Sequence, residues 1–175
     1  MCIRDREITQ FVDDILLYAE SDQSTQTIQL VDCNELVTQI QRRLSAQLSE
    51  TKTSIFCDKL PSIKAHESLI LQVFQNLVSN AIKFRRSEVD PIIKISGTET
   101  ATHTIFEIED NGIGIKEENQ EKIFQLFARL HHKTAYEGSG IGLSTVLKIL
   151  KKYNATIEVH SIYGEGSTFR LLFPR

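Results

Sequence analysis

The strongest constraint on the fold is a long amphipathic segment near the middle of the chain. Across residues 66–84, apolar residues recur at spacings of three and four, which is the period of one helix face. This pattern predicts a helix of about five turns that is buried along a broad face. Its apolar residues are Leu69, Ile70, Val73, Phe74, Leu77, Val78, Ala81 and Ile82.

The other periodic segments predict strands and helices in irregular order. Strands are predicted at residues 28–31, 55–60, 92–96, 104–109, 156–161 and 168–173; further helices are predicted at 7–21, 36–48, 116–124 and 142–153. Asp32 or Asn34 can cap the helix at 36–48. The strands cluster in meanders and hairpins, so we predict the α+β class, as a two-layer sandwich with helices on one face of a mixed sheet.

Composition places the chain among soluble globular domains and excludes several functions. Its 175 residues are 41% hydrophobic and 25% charged, as expected for one packed domain. The net charge of −3 gives no bulk attraction to nucleic acid. Three widely spaced cysteines indicate neither a disulfide framework nor a zinc site. We expect a cytoplasmic chain with no membrane contact of its own, and any membrane anchor outside it.

Two glycine-rich segments are candidates for binding phosphate. Residues 110–114 follow a predicted strand, and residues 138–142 precede a predicted helix. Closely spaced glycines let backbone N–H groups approach a ligand, and a helix N-terminus carries partial positive charge. A glycine-rich turn alone is weak support, and an ordinary loop is the alternative. Neither segment matches the P-loop or the Rossmann fingerprint.

A third candidate element lies on the long helix. Asn76 and Asn80 are four residues apart, as are Asn80 and Phe84, and Lys83 lies beside that line. One helix face therefore presents two amide oxygens, an ammonium group and a ring. Magnesium takes oxygen ligands and shares them with phosphates and water, so one amide oxygen can suffice. The alternative is that both asparagines only form hydrogen bonds in a polar groove.

Taken in order, these segments resemble the motifs of sensor histidine kinases. Residues 76–84 resemble the N-box, 110–114 the first glycine box, 123–129 the F-box, and 138–143 the second glycine box. The resemblance implies the Bergerat ATP-binding fold of the GHKL ATPases over residues 28–175. Residues 1–24 resemble the C-terminal part of the family's dimerisation and phosphoacceptor hairpin.

The resemblance also implies a role for individual residues at the phosphates. Asn80 is the implied magnesium ligand, and Asn76 shapes the same site. Lys83 and Arg129 are the implied cations that stabilise phosphate charge, so the catalytic set is Asn76, Lys83 and Arg129. The phosphate-binding end of a mobile lid is implied at Gly138, Gly140, Gly142 and Leu143.

At the base of the nucleotide, the resemblance implies four contacts. Asp110 accepts a hydrogen bond from the adenine amine, a role that suits an acceptor-only carboxylate. Phe84 lies against the adenine ring. Gly112 and Gly114 let the backbone bend around the base. The implied cofactors are ATP and Mg²⁺.

Asn76 separates the candidate reactions. ATP-hydrolysing members of the superfamily have a glutamate four residues before the metal-binding asparagine, and an amide cannot act as a general base. This favours transfer of the γ-phosphoryl group to a protein histidine. The alternatives are an ATPase that drives conformational change and a non-catalytic nucleotide-binding docking module.

The implied enzyme is therefore a protein histidine kinase, and this chain is a fragment of it. No histidine-containing acceptor box precedes residue 7, so we expect no autophosphorylation by the chain alone. The implied partners are the phosphoacceptor hairpin, a homodimer partner and a response regulator receiver domain. Arg85 and Arg86 are interpreted as solvated surface charges first and phosphate contacts second.

Overall fold

The first half of the fold supplies the long helix and the strands around it. The computed structural model describes residues 27–128 and 140–175. Up to residue 83 the elements are β1 (Gln29–Val31), α1 (Cys33–Arg43), α2 (Ser45–Thr51), β2 (Ser54–Cys57), β3 (Ile63–Ala65) and α3 (Glu67–Lys83). Asp32 caps α1, because its side chain accepts a hydrogen bond from the Asn34 N–H at 2.9 Å. The residues of the predicted helix at 7–21 lie outside the described part of the chain.

The second half supplies most of the sheet. Its elements are β4 (Ile92–Glu99), β5 (His103–Asp110), α4 (Glu117–Gln120), a single 3₁₀ turn (Lys122–Phe124), α5 (Gly142–Lys151), β6 (Thr156–Ile162) and β7 (Gly166–Pro174). None of the described helices combines the length and the apolar character that a membrane crossing requires.

Five strands form one mixed sheet in the order β2-β4-β5-β7-β6. The pair β2–β4 is parallel, and the other three pairs are antiparallel. In this register Asp110, at the end of β5, lies opposite Ile93 on one neighbour and Ser167 on the other. A separate two-stranded sheet pairs β1 with β3. The end of the central strand β5 is therefore held from both sides.

The core lies between the helices and one face of this sheet. Inward-facing strand residues such as Phe106, Ile108 and Leu171 are buried together with the apolar side of α3. The opposite face of the sheet is charged: the Lys94 ammonium is 3.1 Å from Glu109, and the Arg170 guanidinium is 3.3 Å from Glu107. Successive side chains of a strand point to opposite faces of the sheet, which produces this division into an apolar and a charged face. The predicted two-layer α+β arrangement is observed.

The structure departs from the predicted elements in three places. The predicted helix at 36–48 is divided, because Leu44 leaves helical geometry with ψ of 7° between α1 and α2. The predicted helix at 116–124 is α4 followed by the 3₁₀ turn, with Glu121 between them. Strand β3 was not predicted; it is three residues long and is defined by its pairing with β1.

We expect Phe74→Ala to destabilise the protein by about 3–5 kcal/mol. Phe74 is 0% exposed, and its ring packs edge-on against Phe106 with centroids 5.3 Å apart. Truncation removes this contact and leaves a cavity between α3 and the sheet. Urea unfolding measures the loss, with Phe56→Ala as the control because Phe56 is 59% exposed. A loss no larger than that of the control would contradict the placement of Phe74 in the core.

Candidate nucleotide site

The C-terminal end of α3 carries four of the predicted site residues. Asn76 and Asn80 lie one turn apart and are half-buried, whereas the apolar side of the same helix is buried. Lys83 is the last helical residue, and its ammonium lies 4.6 Å from the centre of the Phe84 ring. The Phe84 N–H donates to the Asn80 carbonyl at 2.9 Å and closes the helix. The amides, the cation and the ring therefore share one end of one helix.

The first glycine segment packs directly on this helix end. The Ile113 N–H donates to the Phe84 carbonyl at 2.9 Å. A Cβ atom at Gly112 would lie 2.5 Å from the same carbonyl oxygen and 2.7 Å from Asp110 Oδ1, a distance that real Cβ atoms do not adopt. Gly114 has φ of +67° and faces the Ile162 carbonyl. Glycine is thus required at both positions by the protein's own backbone.

Asp110 ends β5 with an unusually placed carboxyl group. Burial raises the pKa of this carboxyl from its ordinary value of 3.8 to about 6, although hydrogen bonds from the Gly112 and Ser167 N–H groups oppose the rise. The Gly112 N–H lies 2.8 Å from Oδ1. Desolvation is the larger effect, so the site contains a carboxylate held in a poorly hydrated place. Such a group is suited to accepting a hydrogen bond from a ligand.

The described part of the second glycine segment, residues 140–142, also approaches α3. Gly142 begins α5, and a Cβ atom there would lie 3.5 Å from Asn76 Oδ1. Gly140 has φ of +74°, and its carbonyl accepts a hydrogen bond from the Phe127 N–H at 3.1 Å. Leu143, in the first turn of α5, packs against the core. Both glycine segments therefore meet α3, one at Asn76 and the other at Phe84.

Two of the predicted site residues, Arg129 and Gly138, lie outside the described residues. The remaining ones are brought together around the end of α3: Asn76, Asn80, Lys83, Phe84, Asp110, Gly112, Gly114, Gly140, Gly142 and Leu143. Their roles toward a ligand stay predictions.

The described residues of this site offer a ligand an amide oxygen and the N-terminus of a helix. Among residues 27–128 and 140–175, no cluster of three or more His, Cys, Asp or Glu side chains is placed to hold a metal ion. The site instead offers the Asn80 amide oxygen, which can supply one ligand to a phosphate-bound magnesium. The start of α5 adds the N-terminus of a ten-residue helix, which favours negative charge.

Arg86 is a site residue that sequence reasoning missed. It was interpreted mainly as a solvated charge, but it is half-buried: its Nε donates to the Asn111 carbonyl at 3.0 Å and its Nη1 to the Gly164 carbonyl at 2.8 Å. Arg85 is exposed, as interpreted, and donates to the Ile82 carbonyl at the end of α3. No signal in the sequence distinguishes the two arginines, because the acceptors of Arg86 are backbone carbonyls distant along the chain.

Comparison with known proteins places the chain in a family. Residues 65–175 match the family model described as histidine kinase-, DNA gyrase B- and HSP90-like ATPases. The chain belongs to this family. The predicted resemblance to histidine kinase catalytic domains is confirmed, and so is the predicted α+β fold class.

Individual relatives agree with this assignment. The chain is 37% identical over 163 residues to cyanobacterial phytochrome A of Nostoc sp., covering 93% of the chain and 21% of that relative. It is 33% identical over 179 residues to the sensor-like histidine kinase ycf26 of Pyropia yezoensis, covering 93% of the chain and 27% of that relative. The chain thus spans between about a fifth and a quarter of the length of these relatives.

A solved structure shares the fold. ShkA, determined at full length in complex with AMPPNP, superposes with a TM-score of 0.77 at 24% sequence identity, covering 94% of this chain and 35% of that one. At this identity the likeness establishes the fold of the family's ATP-binding domain and leaves the reaction to be argued from the site.

We expect Asp110→Asn to stabilise the protein at neutral pH. The folded-state pKa of about 6 lies above the ordinary 3.8, so the folded protein holds this proton more tightly than the unfolded chain. This contribution to the free energy of unfolding is complete below about pH 4 and is lost as the pH rises through about 6. About two pKa units correspond to at most about 3 kcal/mol, and asparagine avoids that loss.

Urea unfolding of wild type and variant at about pH 4 and about pH 8 measures this effect. The free energy of unfolding of the variant should increase relative to that of the wild type as the pH rises. Glu109→Gln is the control, because Glu109 is the adjacent strand residue but is exposed and pairs with Lys94. The opposite result is that the wild type exceeds Asp110→Asn in free energy of unfolding by more at pH 8 than at pH 4. It would show that the hydrogen bonds to the carboxylate outweigh its desolvation.

Proposed function

We propose that this chain is the catalytic and ATP-binding domain of a sensor histidine kinase. It transfers the γ-phosphoryl group of Mg-ATP to a histidine that lies outside the chain, for relay to a response regulator. The observation that supports the proposal is that both glycine segments lie against the C-terminal half of α3 and its cap, one at Asn76 and the other at Phe84. In the proposed site the base lies at the first segment and the phosphates lie at the second.

The base lies at the first glycine segment. Asp110 is the acceptor for the adenine amine, and its low hydration strengthens that hydrogen bond. Phe84 supplies an apolar surface to the ring. Gly112 lets the turn lie against the Phe84 carbonyl at the end of α3, and Gly114 lets it lie against the Ile162 carbonyl at the end of β6.

The phosphates lie between α3 and the start of α5. Lys83 and Arg129 neutralise phosphate charge, and the backbone from Gly138 to Gly142, with Leu143 anchoring it to the core, provides N–H donors. Asn80 is the protein's oxygen ligand for magnesium, which, when bound, offsets charge on the phosphate oxygens. Phosphoryl transfer needs little beyond such positioning and charge neutralisation.

Asn76 favours transfer to protein over hydrolysis. It lies one helical turn before Asn80 and close to Gly142, and it offers only an amide, which cannot deprotonate water. The related ATPases that hydrolyse ATP are therefore the second candidate, and a non-catalytic docking module is the third. The set of amides, cation and acceptor carboxylate argues against the docking module, since such a module needs none of them.

The remaining partners follow from the family and belong to the same proposal. Residues 1–24 are the end of the dimerisation and phosphoacceptor hairpin, and residues 28–175 are the catalytic domain. The hairpin of a homodimer supplies the acceptor histidine, and a receiver domain takes the phosphoryl group from it. We place the domain in the cytoplasm, where ATP is available.

Incubation with γ-labelled ATP and magnesium tests this function. The chain alone should bind Mg-ATP, release phosphate slowly and form no stable phosphohistidine, because Asn76 gives no general base and no acceptor box is present. Addition of a matching hairpin that contains the acceptor histidine should give label on that hairpin, stable to alkali and labile to acid. Replacement of the acceptor histidine by glutamine is the control.

Two results would contradict the proposal. Strong acid-labile labelling of the isolated chain would show that the acceptor lies within it. Rapid release of phosphate without labelling of any hairpin would favour the hydrolysing ATPase.

We expect Asn80→Ala to weaken binding of Mg-ATP far more than binding of metal-free ATP. The variant removes one oxygen ligand of the metal and leaves the base contacts in place. A fluorescent ATP analogue, titrated with magnesium and then with chelator, measures both affinities. Gln75→Ala is the control, because Gln75 lies on the same helix but its side chain accepts from Arg43. Equal losses with and without metal would mean that Asn80 acts on the structure of the helix alone.

A further inference from the structure

Arg86 ties together three segments of the candidate site. It follows Phe84 by two residues, and its guanidinium donates to the Asn111 carbonyl at 3.0 Å and to the Gly164 carbonyl at 2.8 Å. Asn111 lies in the first glycine segment, and Gly164 lies at the tip of the β6–β7 hairpin. One planar side chain therefore joins the end of α3, the glycine turn and the hairpin.

Backbone hydrogen bonds complete the same connection. The Ile113 N–H donates to the Phe84 carbonyl at 2.9 Å, and the Gly164 N–H donates to the Ile113 carbonyl at 2.7 Å. Each of these bonds joins two of the three segments that Arg86 links. The glycine turn cannot move away from the helix end unless several of these bonds break together.

Asn111 is also held through its side chain. Its Oδ1 accepts from the Ile92 N–H at 2.8 Å, and its Nδ2 donates to the Asp90 carbonyl at 3.0 Å. Arg86 holds the backbone carbonyl of the same residue. The neighbours of Asn111 are Asp110 and Gly112, so fixing this residue fixes the part of the turn that faces the base.

We infer that Arg86 is a positioning residue for the adenine pocket. It holds the turn at residues 110–114 against Phe84 before a nucleotide arrives, and its donors are directed at protein carbonyls instead of phosphates. This inference rests on the proposed function, because it takes the pocket to be the adenine site. The role needs the flat fork of arginine, because Nε and Nη1 are two separate donor nitrogens held in one plane, whereas lysine offers a single nitrogen on a flexible stem.

Arg86→Lys separates this role from a role of the charge. We expect the variant to lose about tenfold in affinity for ADP and for ATP alike, because the pocket for the base is loosened while the charge is kept. Arg85→Lys is the matched control: Arg85 is adjacent, exposed and equally charged, and its guanidinium donates to the Ile82 carbonyl within its own helix end. Isothermal titration calorimetry, well below the unfolding temperature, gives both affinities for each protein.

A second measurement detects the turn itself. In the folded Arg86→Lys protein, NMR titration should show the pKa of Asp110 falling from about 6 toward its ordinary 3.8, because a loosened turn admits water. A general loss of stability would not move this pKa in molecules that remain folded. Arg86→Gln, which also lacks the fork, should behave in the same way and serves if the lysine variant does not fold.

The outcomes are distinct. Unchanged ADP and ATP affinities in both Arg86 variants would overturn the inference and leave the proposed function intact. A loss confined to ATP, with ADP unaffected, would place Arg86 on the terminal phosphate and would also overturn it. A wild-type protein that binds neither nucleotide would overturn the proposed function and this inference with it.

Discussion

The site depends on one close approach, that of the turn at residues 110–114 to the carbonyl of Phe84. This carbonyl is at the end of α3, and it accepts the Ile113 N–H from outside the helix. The approach is so close that Gly112 has no room for a side chain. The hydrogen bond between this helix end and the turn thus fixes the position of residues 110–114 beside Phe84.

This close approach explains why glycine is needed at these positions, and the explanation differs from the one that the sequence indicates. Closely spaced glycines predict a backbone that approaches a ligand. In the structure, Gly112 and Gly114 are packed against protein carbonyls, those of Phe84 and Ile162. The two reasons are compatible, because a turn locked to its own protein presents its remaining groups to a ligand without the cost of ordering them.

The sequence was most informative for long periodic segments and least informative for contacts between residues that are distant along the chain. The helix predicted at residues 66–84 is α3 at Glu67–Lys83, because about five turns leave little ambiguity in a period of 3.6. Strand β3 is defined by its pairing with β1, which is distant along the chain. The contacts of Arg86 join residues 25 and 78 positions away, and no local rule predicts which exposed-looking arginine will find such carbonyls. The motifs predicted a candidate site, and the hydrogen bonds among its residues became visible only with the fold.

The hydrogen bond from the Phe127 N–H to the Gly140 carbonyl has a consequence for how related chains can differ. It brings the two described segments on either side of residues 129–139 together at one point. The number of residues between them is therefore not fixed by a distance that has to be spanned. For a flexible connection between two such points, doubling the length costs only about 0.6 kcal/mol of closure entropy. Relatives with the same sheet and helices can therefore differ in length here at a small cost in stability.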